Sequence, residues 1–267
     1  MKTLKKGSRG EDVKYLSSLL GVIPEKTYFD DSLDMTVKAY QDMYGLVVDG
    51  IVGYKTWKSL MVKDRDKNHL SPGITDFDYI LLGKLLDVDP DIIHAFVKVE
   101  SGGSGFLKSG KPKILFEGHV FWKELQSVGI SPLKFQPGNQ DIIYKSWTTK
   151  YYKGGEAEWD RLERAIKIHK VAAQKSASWG ILQVMGTNWK ATGCKSLEEF
   201  IKEMSTSEFH QLLLGIEFIK TSGLVKYMAT LDFKNLAKGY NGEGYAANKY
   251  DIKLKNAYFG LKTPKKN

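Results

Sequence analysis

The chain has 267 residues, enough for one large or two ordinary domains, with 42% hydrophobic, 12% aromatic and 27% charged residues, the balance of a globular protein. No apolar run approaches the roughly 20 residues of a membrane span, and "MKTLKKGSRGEDVKYL" lacks the apolar core and cleavage site of a secretory signal. The single cysteine, Cys194, excludes an internal disulfide framework.

The net charge of +9 suits either general solubility or a polyanionic partner such as nucleic acid, anionic lipid or an anionic wall. Signatures of RNA-binding and helix-turn-helix modules are not evident, so nucleic acid is not expected. Residues 1–62 hold nine Lys/Arg against eight Asp/Glu, which puts nearly all the excess in the later part. His69, His94, His119, His169 and His210 are scattered, with no HExxH and no Cys/His ligand spacing, so neither a metal site nor a cofactor is expected.

Residues 1–62 read as a small domain. Glu11 and Asp12 open a helical pattern with Val13, Leu16, Leu19 and Leu20 on one side, Ser8 or Gly10 as cap and Gly21 as stop. A second helix, "DDSLDMTVKAYQDMYG", places Val37, Tyr40 and Tyr44 on one face before Gly45. An Asp49-Gly50 turn then leads into a short helix carrying Trp57 and Leu60. Residues 63–75, charged and ending near Ser-Pro-Gly, read as a linker.

From residue 76 to 267 the pattern stays helical. Asp76 can cap "DFDYILLGKLLDV", and Asp89 with Pro90 at the first helical position starts a helix over 89–100. Its stripe of Ile92, Ile93, Phe96 and Val99 predicts burial, and it ends on Glu100 before Ser101-Gly102-Gly103. Further helical patterns span 156–175, 206–220 and 243–258, and "KPKILFEGH" is a short extended segment.

A carboxylate at a helix C-terminus is disfavoured by about 0.3–1 kcal/mol. Lifting a glutamate from about 4.3 to about 6, as a general acid near neutrality requires, needs roughly 2.3 kcal/mol. Desolvation beside the apolar stripe must supply the rest, and the glycines leave a gap through which a polymer can approach. Three other segments have matching chemistry. "ILFEGHVFW" sets Glu117 and His119 among apolar and aromatic residues, and "SASWGILQVMG" places Ser178 and Gln183 where they can bond a sugar. "KGYNGEGY" supplies Tyr240 and Asn241, suited to stacking on a sugar and bonding its acetamido group. Each also has a structural reading: Glu117 paired to a lysine, Gln183 capping a helix, Tyr240 in the core.

Two resemblances rest on these motifs. "GSRGEDVKYL", "TVKAYQ" and "GLVVDGIVGYKTWKSL" together resemble the peptidoglycan-binding domain of cell-wall hydrolases, although "YFD" departs from that family's glycine-flanked phenylalanine. This resemblance implies a three-helix fold with a shallow site for wall peptide or glycan, and Tyr44 and Asp49 are the residues expected near it. "VESGGSGF", "ILFEGHVFW" and "ASWGILQVMG", followed by Tyr-Asn-Gly, resemble the lysozyme-like superfamily. Goose-type lysozymes and lytic transglycosylases share the order, and the N-acetylmuramidase domain of phage-type endolysins is the nearer likeness.

The implied architecture is mainly α: a small three-helix domain, then a larger α-helical lysozyme-like domain. The implied reaction is hydrolysis of the β-1,4 bond after N-acetylmuramic acid, with Glu100 as general acid and the Gln183 and Tyr240-Asn241 segments as groove walls. Glu117 is the candidate second carboxylate, as nucleophile or as base for water; spacing in sequence does not distinguish retention from inversion. A lytic transglycosylase, which needs no second carboxylate, and a non-catalytic wall-binding protein are the alternatives. A zinc amidase or a Cys/His peptidase ranks last. The basic second domain fits contact with an anionic bacterial surface, and one anchor plus one catalytic domain needs no partner subunit, so a monomer is expected. Without a signal peptide, the expectation is synthesis in a host cytoplasm and action on the periplasmic wall after a membrane lesion made by another protein.

Overall fold

The computed structural model describes residues 1–69, 71, 73–101, 104–246 and 248–263. It divides into two compact units, residues 1–71 with 76–90, and residues 72–75 with 91–267. The expected linker and the start of the second domain therefore fall differently, since 76–90 groups with the first unit.

In the first unit, α1 (Glu11–Leu19) starts from Gly10, one of the two expected caps, and α2 (Asp31–Met43) is capped by the Asp30 carboxylate, which accepts from the Leu33 N–H. Val13, Leu16, Phe29, Leu33, Val37, Trp57 and Met61 are at most 1% exposed and form the core. α3 (Tyr54–Asn68) runs on through residues read as linker. The reason is Arg65, buried in that charged run and paired at 2.9 Å with the fully buried Asp78 of α4 (Asp76–Leu86). A charge run usually marks a solvated face; here one of its members secures α3 to α4. Leu70 and Pro72 of the same stretch lie outside the described residues.

α5 (Pro90–Ser101) has Pro90 at its first position, and Ile92, Ile93 and Phe96 are fully buried. β1 (Ile114–Phe116) comes next, then α6 (Gly118–Ser127), α7 (Glu156–Ile168) and α8 (Lys170–Lys175). The single helix expected over 156–175 is broken at His169, whose extended backbone and ring, accepting from the Ala172 N–H, end α7 and cap α8. β2 (Ala177–Trp179) and β3 (Val184–Met185) complete a three-stranded antiparallel sheet in the order β1-β2-β3, with Leu115 opposite Ser178 and Ser178 opposite Met185.

α9 (Leu197–Met204), α10 (Glu208–Thr221), α11 (Val225–Ala229), α12 (Phe233–Asn241) and α13 (Tyr250–Lys262) make up the rest. The helix expected from 243 instead begins at Tyr250, after a 3-10 turn over 242–245. α10 is buried around most of its circumference, the signature of a central helix. The protein is mainly α, as expected from the sequence.

Two buried polar groups hold the second unit together around β1 and α10. Glu158 of α7 accepts from the N–H groups of Phe116, Lys153 and Gly154 and from Arg161, which in turn donates to the carbonyls of Phe116 and Asp141. This pair ties β1 to the segment before Gly155. Gln211 of α10 is fully buried; its Oε1 accepts from the Ile181 N–H, and its Nε2 donates to the carbonyls of Gly105 and Met204. Gly105 and Gly180 press so close to Gln211 that a Cβ at either would lie within 3.0 Å of it.

Candidate active site

The end of α5, β1 and the β2–β3 turn enclose a cleft of about 410 Å³. Glu100 lines it from α5, Ile114 and Leu115 from β1 with Lys113 just before it, and Gly180 and Gln183 from the turn; Leu107 and Gly155 complete the lining. Glu100 is the only carboxylate among these residues.

Glu100 is half-buried at the penultimate position of α5. Burial pushes its carboxyl above the ordinary value of 4.5, and a hydrogen bond donated by the Tyr250 hydroxyl to Oε1 partly offsets that. The hydroxyl of Tyr250 is in turn held up in pKa by burial, then by the charge of Glu100. Tyr240 belongs to the same cluster: burial and the nearby Glu100 charge both raise its phenol. Desolvation is thus the largest influence on Glu100, ahead of the Tyr250 hydrogen bond. Gly102 and Gly103, expected to leave a gap beside it, lie outside the described residues. After them, Ser104 Oγ and the Gly105 N–H both donate to Glu208 of α10 at 3.0 and 2.7 Å.

Gln183 is among the residues lining the cleft. Its Oε1 accepts from Ser178 Oγ at 2.8 Å, and its Nε2 donates to the Gly180 carbonyl at 2.8 Å. Its φ of 48° is left-handed, a strained state for a residue with a Cβ, and it is the kind of strain found where a side chain must be aimed. Ser178 is buried on β2 and spends its hydroxyl on Gln183, so it orients the wall of the cleft instead of forming it.

Tyr240 differs from its expected role. Its hydroxyl donates to the Leu182 carbonyl at 2.6 Å, and its ring meets Phe96 and Phe218 edge-on. The phenol supports the β2–β3 turn from behind. Asn241, the exposed last residue of α12, stands near the Tyr250 hydroxyl and slightly favours its ionised form. Tyr250 itself went unnoticed in the sequence: it lies 150 residues from Glu100 and carries no local signal beyond its place after the Tyr-Asn-Gly segment.

Glu117 and His119 are not among the residues lining the cleft. Glu117 stands at the N-cap of α6, where its Oε1 accepts from the Tyr152 hydroxyl at 2.6 Å. Its Oε2 is 3.2 Å from His119 Nδ1, out of hydrogen-bond alignment. Burial lowers the His119 ring pKa more than the Glu117 charge raises it. The acid–tyrosine–histidine group is a neighbour of the cleft, not a second carboxylate within it.

In the first unit, Tyr44 lines a separate surface hollow of about 330 Å³ with Tyr40, Lys63, Asp64 and Lys67 among others. Lys63 Nζ stands 3.9 Å above the Tyr44 ring. Asp49 is not part of that hollow: its Oδ1 accepts from the Ile51 N–H and from Gln41, which fixes the Asp49-Gly50 turn and lowers its own pKa. Among the described residues no group of three or more His, Cys, Asp or Glu could hold a metal ion.

The profile of the N-acetylmuramidase family matches residues 89–262, and that of the putative peptidoglycan binding domain matches residues 11–60. Among solved structures, the chain is similar to a Burkholderia AP3 phage endolysin, at 32% identity and a TM-score of 0.65, over 98% of this chain and 99% of that one. No curated protein matches the sequence.

Proposed function

This chain belongs to the N-acetylmuramidase family and hydrolyses peptidoglycan, and from that premise we propose that Glu100 is the general acid of a phage-type endolysin. The observation that carries the assignment is a single carboxyl in the cleft, raised in pKa by burial and bonded by one tyrosine. Protonated Glu100 gives its proton to the glycosidic oxygen after N-acetylmuramic acid while positive charge develops at the sugar carbon. The Tyr250 hydroxyl then bonds the carboxylate that remains. The second Nε2 hydrogen of Gln183 is assigned to an oxygen of the bound sugar, with Ser178 fixing the amide's orientation.

Removing the Tyr250 donor takes away a bond that favours the ionised form of Glu100. Tyr250→Phe therefore keeps the proton on Glu100 to higher pH, and the alkaline limb of the pH–activity profile moves up. A limb that stays in place or moves down would separate that limb from Glu100.

Hydrolysis also requires activation of water, and Glu117 is a poor candidate for that work because it is not among the cleft-lining residues and Tyr152 bonds one of its oxygens. A cleft with one carboxylate equally favours a second reading, a lytic transglycosylase in which the muramic 6-hydroxyl attacks internally. Mass spectrometry of fragments from purified peptidoglycan distinguishes them. Hydrolysis leaves reducing muramic ends; fragments lighter by one water would replace it with the transglycosylase reading. No soluble fragments at all would leave only a wall-binding protein.

The first unit acts as the wall anchor, with the Tyr44 hollow as its contact surface. No helix among the described residues is long and apolar enough to cross a membrane. A monomer, contact of the lysine-rich second unit with the anionic bacterial surface, and passage from a host cytoplasm to the wall through a separate membrane lesion complete the proposal.

A further inference from the structure

The largest exposed aromatic side chain of the protein is Trp147, 64% exposed, in the segment "KSWTTKYYKGG" over residues 145–155. A large apolar surface left in water asks for an explanation. Trp147 stands near the Tyr152 hydroxyl, which donates to Glu117 at 2.6 Å. Beside it, Tyr151 packs at 5.0 Å on Tyr144, and Tyr144 lies so close to Gly118 that a Cβ there would come within 2.3 Å of its ring. The carboxylate at the start of α6 therefore holds the Tyr152 side chain of this segment.

The position of this surface is set by β1. Side chains two residues apart along an extended chain point to the same side, about 7 Å apart. Leu115 lines the Glu100 cleft, and Glu117, still extended in backbone, faces the same way. From the other direction, Gly155 lines the cleft three residues after Tyr152. The Glu117–Tyr152 pair thus joins two segments that each reach the cleft within three residues, at Leu115 and at Gly155. Lys145, Lys150 and Lys153 are exposed in the segment, and no acidic residue occurs between 145 and 155.

We propose that Trp147, with Tyr151 and Tyr152, forms a further subsite that takes a sugar of the same glycan strand beyond the Glu100 cleft. Resting on the muramidase reading, this adds a binding surface that the chemistry at Glu100 does not require. An indole face stacks on the apolar face of a hexosamine ring, and the three lysines complement the carboxylates that peptidoglycan carries on its lactyl and peptide branches. Glu117 is then a positioning residue for Tyr152.

The test measures binding of peptide-free glycan strands of graded length to the full chain carrying Glu100→Gln, with and without a change at Trp147. Strands long enough to leave the cleft are expected to bind about tenfold more tightly than a disaccharide. Trp147→Ala removes that gain, while Trp147→Phe keeps most of it. A gain that persists in Trp147→Ala overturns the subsite, as does an equal loss for the disaccharide and the long strands. Trp147-dependent binding of a single-stranded oligonucleotide as tight as that of the glycan would overturn it in favour of a general polyanion site. Because the readout is binding, an absence of turnover in the unmodified protein would count against the muramidase reading alone.

Discussion

Replacing Glu100 with glutamine lowers turnover of purified peptidoglycan by ~10²–10⁴-fold and raises the thermal unfolding midpoint at neutral pH. The loss comes from removing the only carboxyl among the cleft-lining residues, with the amide matching its shape but unable to give up a proton. The gain in stability comes from the same burial. Folded Glu100 binds its proton more readily than the unfolded chain does, so between its ordinary value of 4.5 and its raised folded value stability falls as pH rises. Above that window the full penalty of a buried carboxylate is present, and the amide carries none of it. Below pH 4.5 both proteins are uncharged at this position and their midpoints converge. Calorimetry across that range, beside fragment-release kinetics, checks both halves. A glutamine variant that is inactive but less stable at neutral pH would point to a fold defect instead.

Gln211→Leu is expected to destabilise the protein by about 2 kcal/mol or more and to lower turnover together with stability. Leucine fills a similar volume but leaves the Ile181 N–H and the Met204 carbonyl without their Gln211 partner, at roughly 1–3 kcal/mol for each buried group orphaned, while the Gly105 carbonyl keeps its bond from the Lys113 N–H. The consequence reaches the site because these groups belong to opposite sides of the cleft. Gly105 is five residues after Glu100, and Ile181 sits in the turn between Gly180 and Gln183. Glu208, one turn earlier on α10, grips Ser104 and Gly105 as well. Denaturant unfolding measures the first effect, and turnover well below the variant's midpoint measures the second. Unchanged stability would mean that water satisfies the groups and that α10 does not set the geometry.

Sequence pattern carried the helices best where an apolar stripe and a terminal signal agreed. Pro90 with Ile92, Ile93 and Phe96 located α5, and with it Glu100. It carried the β2–β3 hairpin poorly, because "ASWGILQVMG" is apolar almost without alternation and periodicity cannot separate a buried strand from a buried helix there. The α7–α8 break was hidden since a histidine ring is an uncommon cap. Polar residues were identified more often than their tasks. Gln183 lines the cleft, whereas Ser178, Tyr240, Asn241 and Glu117 work through neighbours that local spacing cannot reveal. Tyr250 and Gln211 escaped notice for a related reason: their partners are 150 and up to 106 residues away, and each reads locally as an ordinary helical residue.

The most direct test of the mechanism is a titration of the Glu100 carboxyl itself, by NMR of protein carrying carbon-labelled glutamate, with Glu100→Gln identifying the signal. It is set beside the pH dependence of kcat/KM, which reports groups of the free enzyme. A Glu100 carboxyl that titrates above 4.5 and coincides with the alkaline limb of kcat/KM is the expected result. A carboxyl that titrates at its ordinary value, or an alkaline limb that falls elsewhere, would contradict the assignment of Glu100 as the acid.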